Sequence, residues 1–167
     1  MSLVLRAFRP TDEAAALAAQ EEFQRSGVGF FLFDYEPGTS WTDWLSRMDR
    51  YSQGIDLPRN RTRSAFLAAD VEGELVGSVS IRFALNDFLA TKGGHIGYGV
   101  IPRFRRKGYA TAILRQAIEI AHSDGVSPLL LTCDDDNVGS ATVIERCGGV
   151  LESVVTDGGG ALRRYWI

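Results

Sequence analysis

Residues 102–111 of the chain read PRFRRKGYAT and separate two different hydrophobic patterns. Before them, His95 to Ile101 is an apolar run typical of a strand, and after them Thr111 to Ala121 has apolar residues at helical spacing. Four of the five residues from Arg103 to Lys107 are cationic, although the positive end of a helix dipole disfavours cations by about 0.3–1 kcal/mol each. A bound anion would offset that cost. The segment therefore predicts a phosphate site at a strand–turn–helix junction.

The small residues of this turn support the same interpretation. Gly108 and Ala110 leave room for a phosphate oxygen near the backbone, and Arg105 and Arg106 can donate charge-assisted hydrogen bonds. The turn is neither a Walker loop nor a dinucleotide fingerprint, because the glycines and the Gly-Lys-Ser/Thr that those motifs require are missing. The alternative is a solvated basic turn that only precedes a helix.

Length and composition restrict the classes of protein that fit. A chain of 167 residues with 45% hydrophobic residues is expected to form one domain, residues 1–167, with one core. The net charge of −3 argues against nucleic acid or an anionic membrane as partner. No apolar run approaches the roughly 18–20 residues of a membrane span, and no leader pattern opens the chain. A cytoplasmic protein is expected.

The hydrophobic periods predict a mixed α/β chain in the order β-α-α-β-β-β-α-β-α-β-β. Predicted strands cover residues 4–8, 64–71, 74–84, 95–101, 129–133, 150–155 and 162–167, and predicted helices cover residues 11–25, 41–51, 111–121 and 137–146. Glu72-Gly73 predicts a tight hairpin, and residues 85–93 are expected to form a loop.

The turn from Arg105 to Ala110 fits the pattern R/Q-x-x-G-x-G/A, which is the pyrophosphate loop of the GNAT superfamily of acyl-CoA N-acyltransferases. Gly97-Tyr98-Gly99-Val100 resembles that superfamily's fourth strand, and residues 137–149 resemble its Asn-led helix. The resemblance is dense from Gly94 to Gly149. It implies a mixed, mostly antiparallel central sheet flanked by helices and splayed between the fourth and fifth strands.

The resemblance also implies acetyl-CoA as co-substrate, no metal, and an acceptor that is a primary amine of a small molecule or a peptide. A homodimer is common among similar proteins. Backbone N–H groups from Arg106 to Thr111 would hold the pyrophosphate, the strand around Gly99 would bind the pantetheine arm, and Asn137 would lie near the thiol. The residues expected to bind the cofactor are Tyr98, Gly99, Val100, Arg105, Arg106, Lys107, Gly108, Tyr109, Ala110, Thr111 and Asn137.

The chain departs from the superfamily at both acid–base positions. Many members have Tyr as the thiolate's proton donor where this chain has Ile144, and several have Glu as base where it has Gly94. The available catalytic candidates are Asp134, His95 and Tyr98. His95 could instead be structural, and Asp134 could belong to a solvated acidic loop.

Arg82 and Asn86 are candidates for the substrate side, although Asn86 could instead only shape a turn. Three functions remain open: an N-acetyltransferase, a non-catalytic acyl-CoA-binding or sensor domain, and a small RNA- or nucleotide-binding module. The third fits least well, because the basic patch is short and the chain is acidic overall.

Overall fold

A computed structural model describes residues 2–27, 29 and 31–167. The strands in this part of the chain are β1 (Leu3–Ala7), β2 (Ser64–Val71), β3 (Glu74–Arg82), β4 (Ile96–Val100), β5 (Leu130–Asp134), β6 (Val150–Asp157) and β7 (Gly160–Trp166). The α-helices are α1 (Glu13–Arg25), α2 (Trp41–Gln53), α3 (Asp87–Thr91), α4 (Tyr109–Ser123) and α5 (Val138–Arg146).

The strands form two antiparallel sheets. One has the order β1-β2-β3-β4 and the other the order β5-β7-β6. The predicted hairpin is confirmed, since Glu72 and Gly73 join β2 to β3 with positive φ angles of 55° and 89°. The mixed, mostly antiparallel fold with flanking helices expected from the sequence is confirmed.

Helices cover both faces of the four-stranded sheet. Trp44 of α2 is fully buried and meets the Phe66 ring of β2 edge-on, so α2 lies on the face to which Phe66 points. On β3, Gly77 faces the side chain of Ile113, so α4 lies on the opposite face. Because side chains alternate along a strand, Ser78, Ser80 and Arg82 point to the α2 face.

In the described part of the chain, backbone hydrogen bonds join the two sheets where β4 and β5 begin. The His95 amide donates to the Leu130 carbonyl over 2.7 Å, and the Leu130 amide donates to Nδ1 of His95 over 2.8 Å. Further along, β4 pairs with β3 and β5 pairs with β7, and β4 and β5 share no further backbone hydrogen bond in the described part of the chain. The two strands therefore diverge and leave a cleft between them.

The structure corrects the predicted loop at residues 85–93, since residues 87–91 form α3. Asn86 caps this helix by accepting a hydrogen bond from the Leu89 amide over 2.9 Å. Five residues are too few to show a helical hydrophobic period, which is why the pattern missed the helix. The other predicted elements have boundaries within a few residues of those observed.

Candidate active site

A cleft of about 830 Å³ opens where β4 and β5 diverge. Its walls come from β4, from the turn before α4, from the first turn of α4, from α5 along its length, and from Phe23 of α1. Ten of the eleven predicted cofactor residues line it: Tyr98, Gly99, Val100, Arg105, Arg106, Gly108, Tyr109, Ala110, Thr111 and Asn137. Three distant parts of the sequence thus converge on one space.

The open edge of β4 presents peptide groups to the cleft. The Arg82 amide donates to the His95 carbonyl and the Ile101 amide donates to the Val76 carbonyl, so β4 bonds to β3 through its odd-numbered residues. Because bonded and non-bonded residues alternate in an antiparallel ladder, the peptide groups of Tyr98 and Val100 point away from β3. They face the space that a fifth strand would otherwise fill.

The N-terminus of α4 has no side-chain cap. Gly108 precedes the helix with φ 83°, a left-handed conformation that favours glycine, and a Cβ added there would meet no atom within 4 Å. In the described part of the chain, no acceptor bonds to the N–H groups of Ala110 and Thr111. Free amides and the positive end of a 15-residue helix together make an anion-binding position beside the cleft.

The cations of the turn have different surroundings. Arg105 lines the cleft and its Nε donates to the Val100 carbonyl over 3.1 Å, and Arg106 lines the cleft with φ 66°. Lys107 does not line the cleft. Its ammonium lies 5.5 Å from the centre of the Phe104 ring. Arg103 is bound to Glu22 of α1 through both its backbone amide and its guanidinium. Two of the four side chains thus face the cleft.

Two hydroxyl groups meet on the cleft wall. The phenol oxygen of Tyr98 lies 3.0 Å from Oγ of Ser140, and both residues line the cleft. Burial raises the pKa of Tyr98 to about 12, so this phenol stays protonated at neutral pH. The pair can therefore donate a hydrogen bond to an anion at this point but cannot serve there as a base.

Asn137 is the N-cap of α5. Its side-chain oxygen accepts from the Ser140 amide over 3.0 Å, which leaves the amide nitrogen without a partner in the described part of the chain. A cap of this kind fixes the side chain beside the cleft. Asn137 thus orients Ser140 and also presents a donor to whatever fills the cleft.

His95 is 7% exposed and does not line the cleft. Its Nδ1 accepts the Leu130 amide, so the imidazole ties the beginnings of β4 and β5 together. Burial lowers the pKa of His95, and the nearby Arg82 acts in the same direction. A neutral ring with one nitrogen already bonded fits the structural alternative better than the catalytic one.

Asp134 is the last residue of β5 and is exposed. It points to the same face of β5 as Thr132, whose Oγ1 accepts the Gly93 amide over 2.8 Å. The neighbouring Cys133 points the other way and is buried. Burial raises the pKa of Cys133, so its thiol is protonated and a poor nucleophile.

The two substrate-side candidates lie beyond the cleft lining. The guanidinium of Arg82 donates to the carbonyls of Gly93 and Gly94 over 3.1 and 3.3 Å. Asn86 has the turn-shaping role, since its side chain caps α3 and donates to the Asn60 carbonyl over 3.0 Å.

The surroundings of Gly94 and Ile144 explain why these two positions do not hold the usual acid–base residues. A Cβ at Gly94 would lie 2.2 Å from the Leu130 carbonyl oxygen, so no side chain fits there. Ile144 is 1% exposed and packs in the core below the cleft. Neither position could hold the usual residue without a local rearrangement.

Sequence reasoning missed Ser140, Phe23 and Arg146 as cleft residues. Ser140 is four residues before Ile144, so the two occupy the same face of α5 one turn apart. That spacing was the available signal for a second hydroxyl donor. Nothing in the sequence near Phe23 connects it with a cleft more than 70 residues away.

The described residues contain no group of three or more His, Cys, Asp or Glu side chains placed to hold a metal ion. Among the same residues, none of the helices has the length and apolar character needed to cross a membrane.

Comparison with protein families gives one match: the model described as an acetyltransferase (GNAT) domain matches residues 2–150. That range contains β1 to β5, all five helices and every residue of the cleft. A search of curated protein sequences gave no match.

Solved structures with the same fold include RimJ of Mycobacterium smegmatis in complex with CoA-disulfide, which is 19% identical with a TM-score of 0.72, over 99% of this chain and 81% of that one. Another is RimL, a ribosomal L7/L12 alpha-N-protein acetyltransferase in complex with coenzyme A, which is 18% identical with a TM-score of 0.70, over 100% of this chain and 94% of that one. The microcin C7 self-immunity acetyltransferase MccE, in complex with acetyl-CoA and AMP, is 20% identical with a TM-score of 0.65, over 99% of this chain and 91% of that one.

Proposed function

Because the chain belongs to the GNAT acetyltransferase family, we propose that it moves an acetyl group from acetyl-CoA to a primary amine of a small molecule or a peptide by direct attack. The observation that carries this proposal is the cleft, in which the open edge of β4 and the uncapped start of α4 line one space of about 830 Å³. Cytoplasmic location and a homodimer stay predictions of the sequence.

The turn before α4 would hold the pyrophosphate of the cofactor. The N–H groups from Arg106 to Thr111 lie in or beside the cleft, and Arg105 and Arg106 add positive charge at its rim. Lys107 would contribute through its backbone, since its side chain lies over Phe104. An anion here would be stabilised by the helix dipole and by charge-assisted hydrogen bonds together.

The pantetheine arm would then run along β4 as an added strand. The peptide groups of Tyr98 and Val100 point to that side, and amides in an extended ligand can pair with them as a fifth strand would. The thioester would then lie close to Tyr98, Asn137 and Ser140, which line the same space.

The chemistry follows from this placement. A neutral amine forms a bond to the thioester carbon, and the carbonyl electrons move to the oxygen, which the Tyr98 N–H would stabilise. The nitrogen loses its proton, for which Asp134 is the acceptor we favour, because it is exposed and lies on β5 across from β4. The C–S bond then breaks, and the thiolate takes a proton.

The hydroxyl pair would act on the departing thiolate. Ile144 cannot donate a proton. However, the Ser140 hydroxyl, one turn before Ile144 on α5, lies 3.0 Å from the Tyr98 hydroxyl on the cleft wall. The high pKa of Tyr98 keeps its proton in place as a donor. This pair would replace the hydroxyl that many family members place at the Ile144 position.

A second function has a specific observation in its favour. Gly94 and Ile144 are both closed to the usual acid–base residues, which fits a domain that binds acyl-CoA without turnover. Release of free thiol from acetyl-CoA, measured over a panel of amines, separates the two. Turnover supports the enzyme, whereas tight binding with no release on any amine supports the sensor.

Cofactor binding is tested by placing a carboxylate in the anion position. Gly108→Glu is expected to weaken CoA binding about 100-fold or more, since two charge-assisted contacts are lost. Gly125→Glu is the matched control, because Gly125 follows the other end of α4 with φ 84° and an equally open Cβ position. Calorimetry with CoA should show a loss for Gly108→Glu alone. Equal affinity in all three proteins would contradict the proposal.

A further inference from the structure

Arg82 has no carboxylate partner among the described residues. Its Nη1 donates to the carbonyls of Gly93 and Gly94, while Nη2 lies 3.2 Å from where a Cβ of Gly97 would be. Within the described residues no Asp or Glu forms an ion pair with it, and its Nε and Nη2 have no hydrogen-bond partner. The guanidinium is fixed on one side and has free donors on the other.

The electrostatics around Arg82 are positive. Burial and the nearby Arg61 together lower its pKa to about 10, with no carboxylate acting in the opposite direction. Arg61 is itself paired with Asp34, which also accepts a hydrogen bond from Tyr51 and pairs with Arg47. A desolvated cation in such surroundings favours a bound anion.

Ser80 is a second unsatisfied group on the same face. It is 6% exposed, and its Oγ has no hydrogen-bond partner in the described part of the chain. Ser80 pairs across the strands with Gly97, so its hydroxyl and the Arg82 guanidinium lie over neighbouring positions of the sheet. A buried hydroxyl without a partner is costly, and a ligand acceptor placed against it would remove that cost.

Both groups point to the α2 face of the sheet on the strand next to β4, which is where we place the acceptor. Gly97 and Gly99 leave this face of β4 without side chains, and a Cβ at Gly97 would contact the Arg82 guanidinium. Gly93, which accepts from Arg82, donates to Thr132, and Asp134 follows two residues later on the same face of β5. The acceptor face thus combines an anion-binding group at one end with a carboxylate at the other.

We propose that the acceptor is an amine that also bears a carboxylate close to the nitrogen, and that Arg82 and Ser80 hold that carboxylate. The free Nε and Nη2 of Arg82 would form the fork, and the Ser80 hydroxyl would donate a third hydrogen bond. The amine would point toward β5 and Asp134. This inference rests on the acetyl transfer proposed above and names its substrate class, either an amino acid or a peptide whose first residue is acidic.

The test is turnover of acetyl-CoA with matched acceptors. Free amino acids are compared with their amides, and peptides beginning with Asp are compared with the same peptides beginning with Asn. The wild-type chain is expected to prefer the carboxylate member of one series by about tenfold or more in kcat/KM, since a charge-assisted fork is lost in the other member. The preferred series identifies the source of the carboxylate.

Two variants assign that preference to the site. Arg82→Gln should abolish it, and Ser80→Ala should reduce it. Arg59→Gln is the matched control, because it removes the same charge from an exposed position in the connector before β2. Arg82→Lys, which keeps the charge but loses the fork, should restore only part of the preference.

The possible outcomes separate the two proposals. Equal rates on charged and neutral members, or a preference that survives Arg82→Gln, would overturn the carboxylate inference and leave acetyl transfer standing. CoA binding without turnover on any member of either series would also overturn it, and would favour the sensor. Failure to bind CoA at all would instead overturn the proposed function.

Discussion

Arg6 at the β1–β2 end of the four-stranded sheet meets two carboxylates, whereas Arg82 at the β3–β4 end meets none in the described part of the chain. The Arg6 guanidinium bonds to Asp12 over 2.7 Å and to Asp70 over 2.8 Å. Asp12 also accepts the Arg9 amide, and Asp70 accepts the Gly73 amide. Every charge in that cluster is completed by the chain itself.

The comparison shows that the Arg6 end of the sheet is held together by its own charges, whereas the Arg82 end has donors without partners in the described part of the chain. Burial raises the pKa of Asp12 and of Asp70, but the hydrogen bonds and charge of Arg6, together with a backbone amide bonded to each carboxylate, outweigh it and hold both below their usual range. That cluster joins β1, β2 and the start of α1. At the other end, Arg82, Ser80 and the amides of Ala110 and Thr111 have donors without a partner in the described part of the chain.

The largest expected effect comes from substituting Met for each arginine. Arg6→Met leaves two partly buried carboxylates facing each other and should lower the free energy of unfolding by about 3–5 kcal/mol. Arg82→Met removes a cation that has only carbonyl partners and should change it by no more than about 1 kcal/mol. Urea denaturation of both variants at neutral pH measures the difference. Equal losses would mean that Arg82 is as structural as Arg6.

A smaller effect is expected at His95, which joins the two sheets where the cleft begins. His95→Gln should cost about 1 kcal/mol at pH 7.5, through the weaker hydrogen bond to the Leu130 amide. Because folding lowers the His95 pKa, the unfolded chain binds the proton first as the pH falls below about 6.5. The stability that His95 contributes is therefore complete above that pH and is lost as the pH falls through the lowered value.

The measurement is urea denaturation of wild-type and His95→Gln chains from pH 7.5 to pH 5.5. The difference between their unfolding free energies should shrink as the pH falls, since Gln does not titrate. A difference that stays constant with pH would show that folding does not lower the His95 pKa, and would contradict the buried, structural role given to His95.

The turn before α4 shows which features of the site the sequence could predict. The turn from Arg105 to Ala110 predicts the start of α4 and the left-handed Gly108 before it, because those depend on residues close together in the chain. The direction in which Lys107 points depends on Phe104 packing, which no local pattern contains.

Tertiary pairing accounts for what was missed. Arg6 and Arg82 both stand in strands of alternating residues, and only the folded chain shows that one has acidic neighbours and the other does not. The same holds for Tyr98 and Ser140, whose hydroxyls meet across 42 positions of sequence.

The direct test of the claim that the cleft residues are left open for acetyl-CoA is a crystal structure of the chain with CoA. The diphosphate oxygens should lie about 3 Å from the amide nitrogens between Arg106 and Thr111, with the pantetheine paired to β4. Diphosphate bound elsewhere, with those amides bonded to the chain itself, would contradict the account.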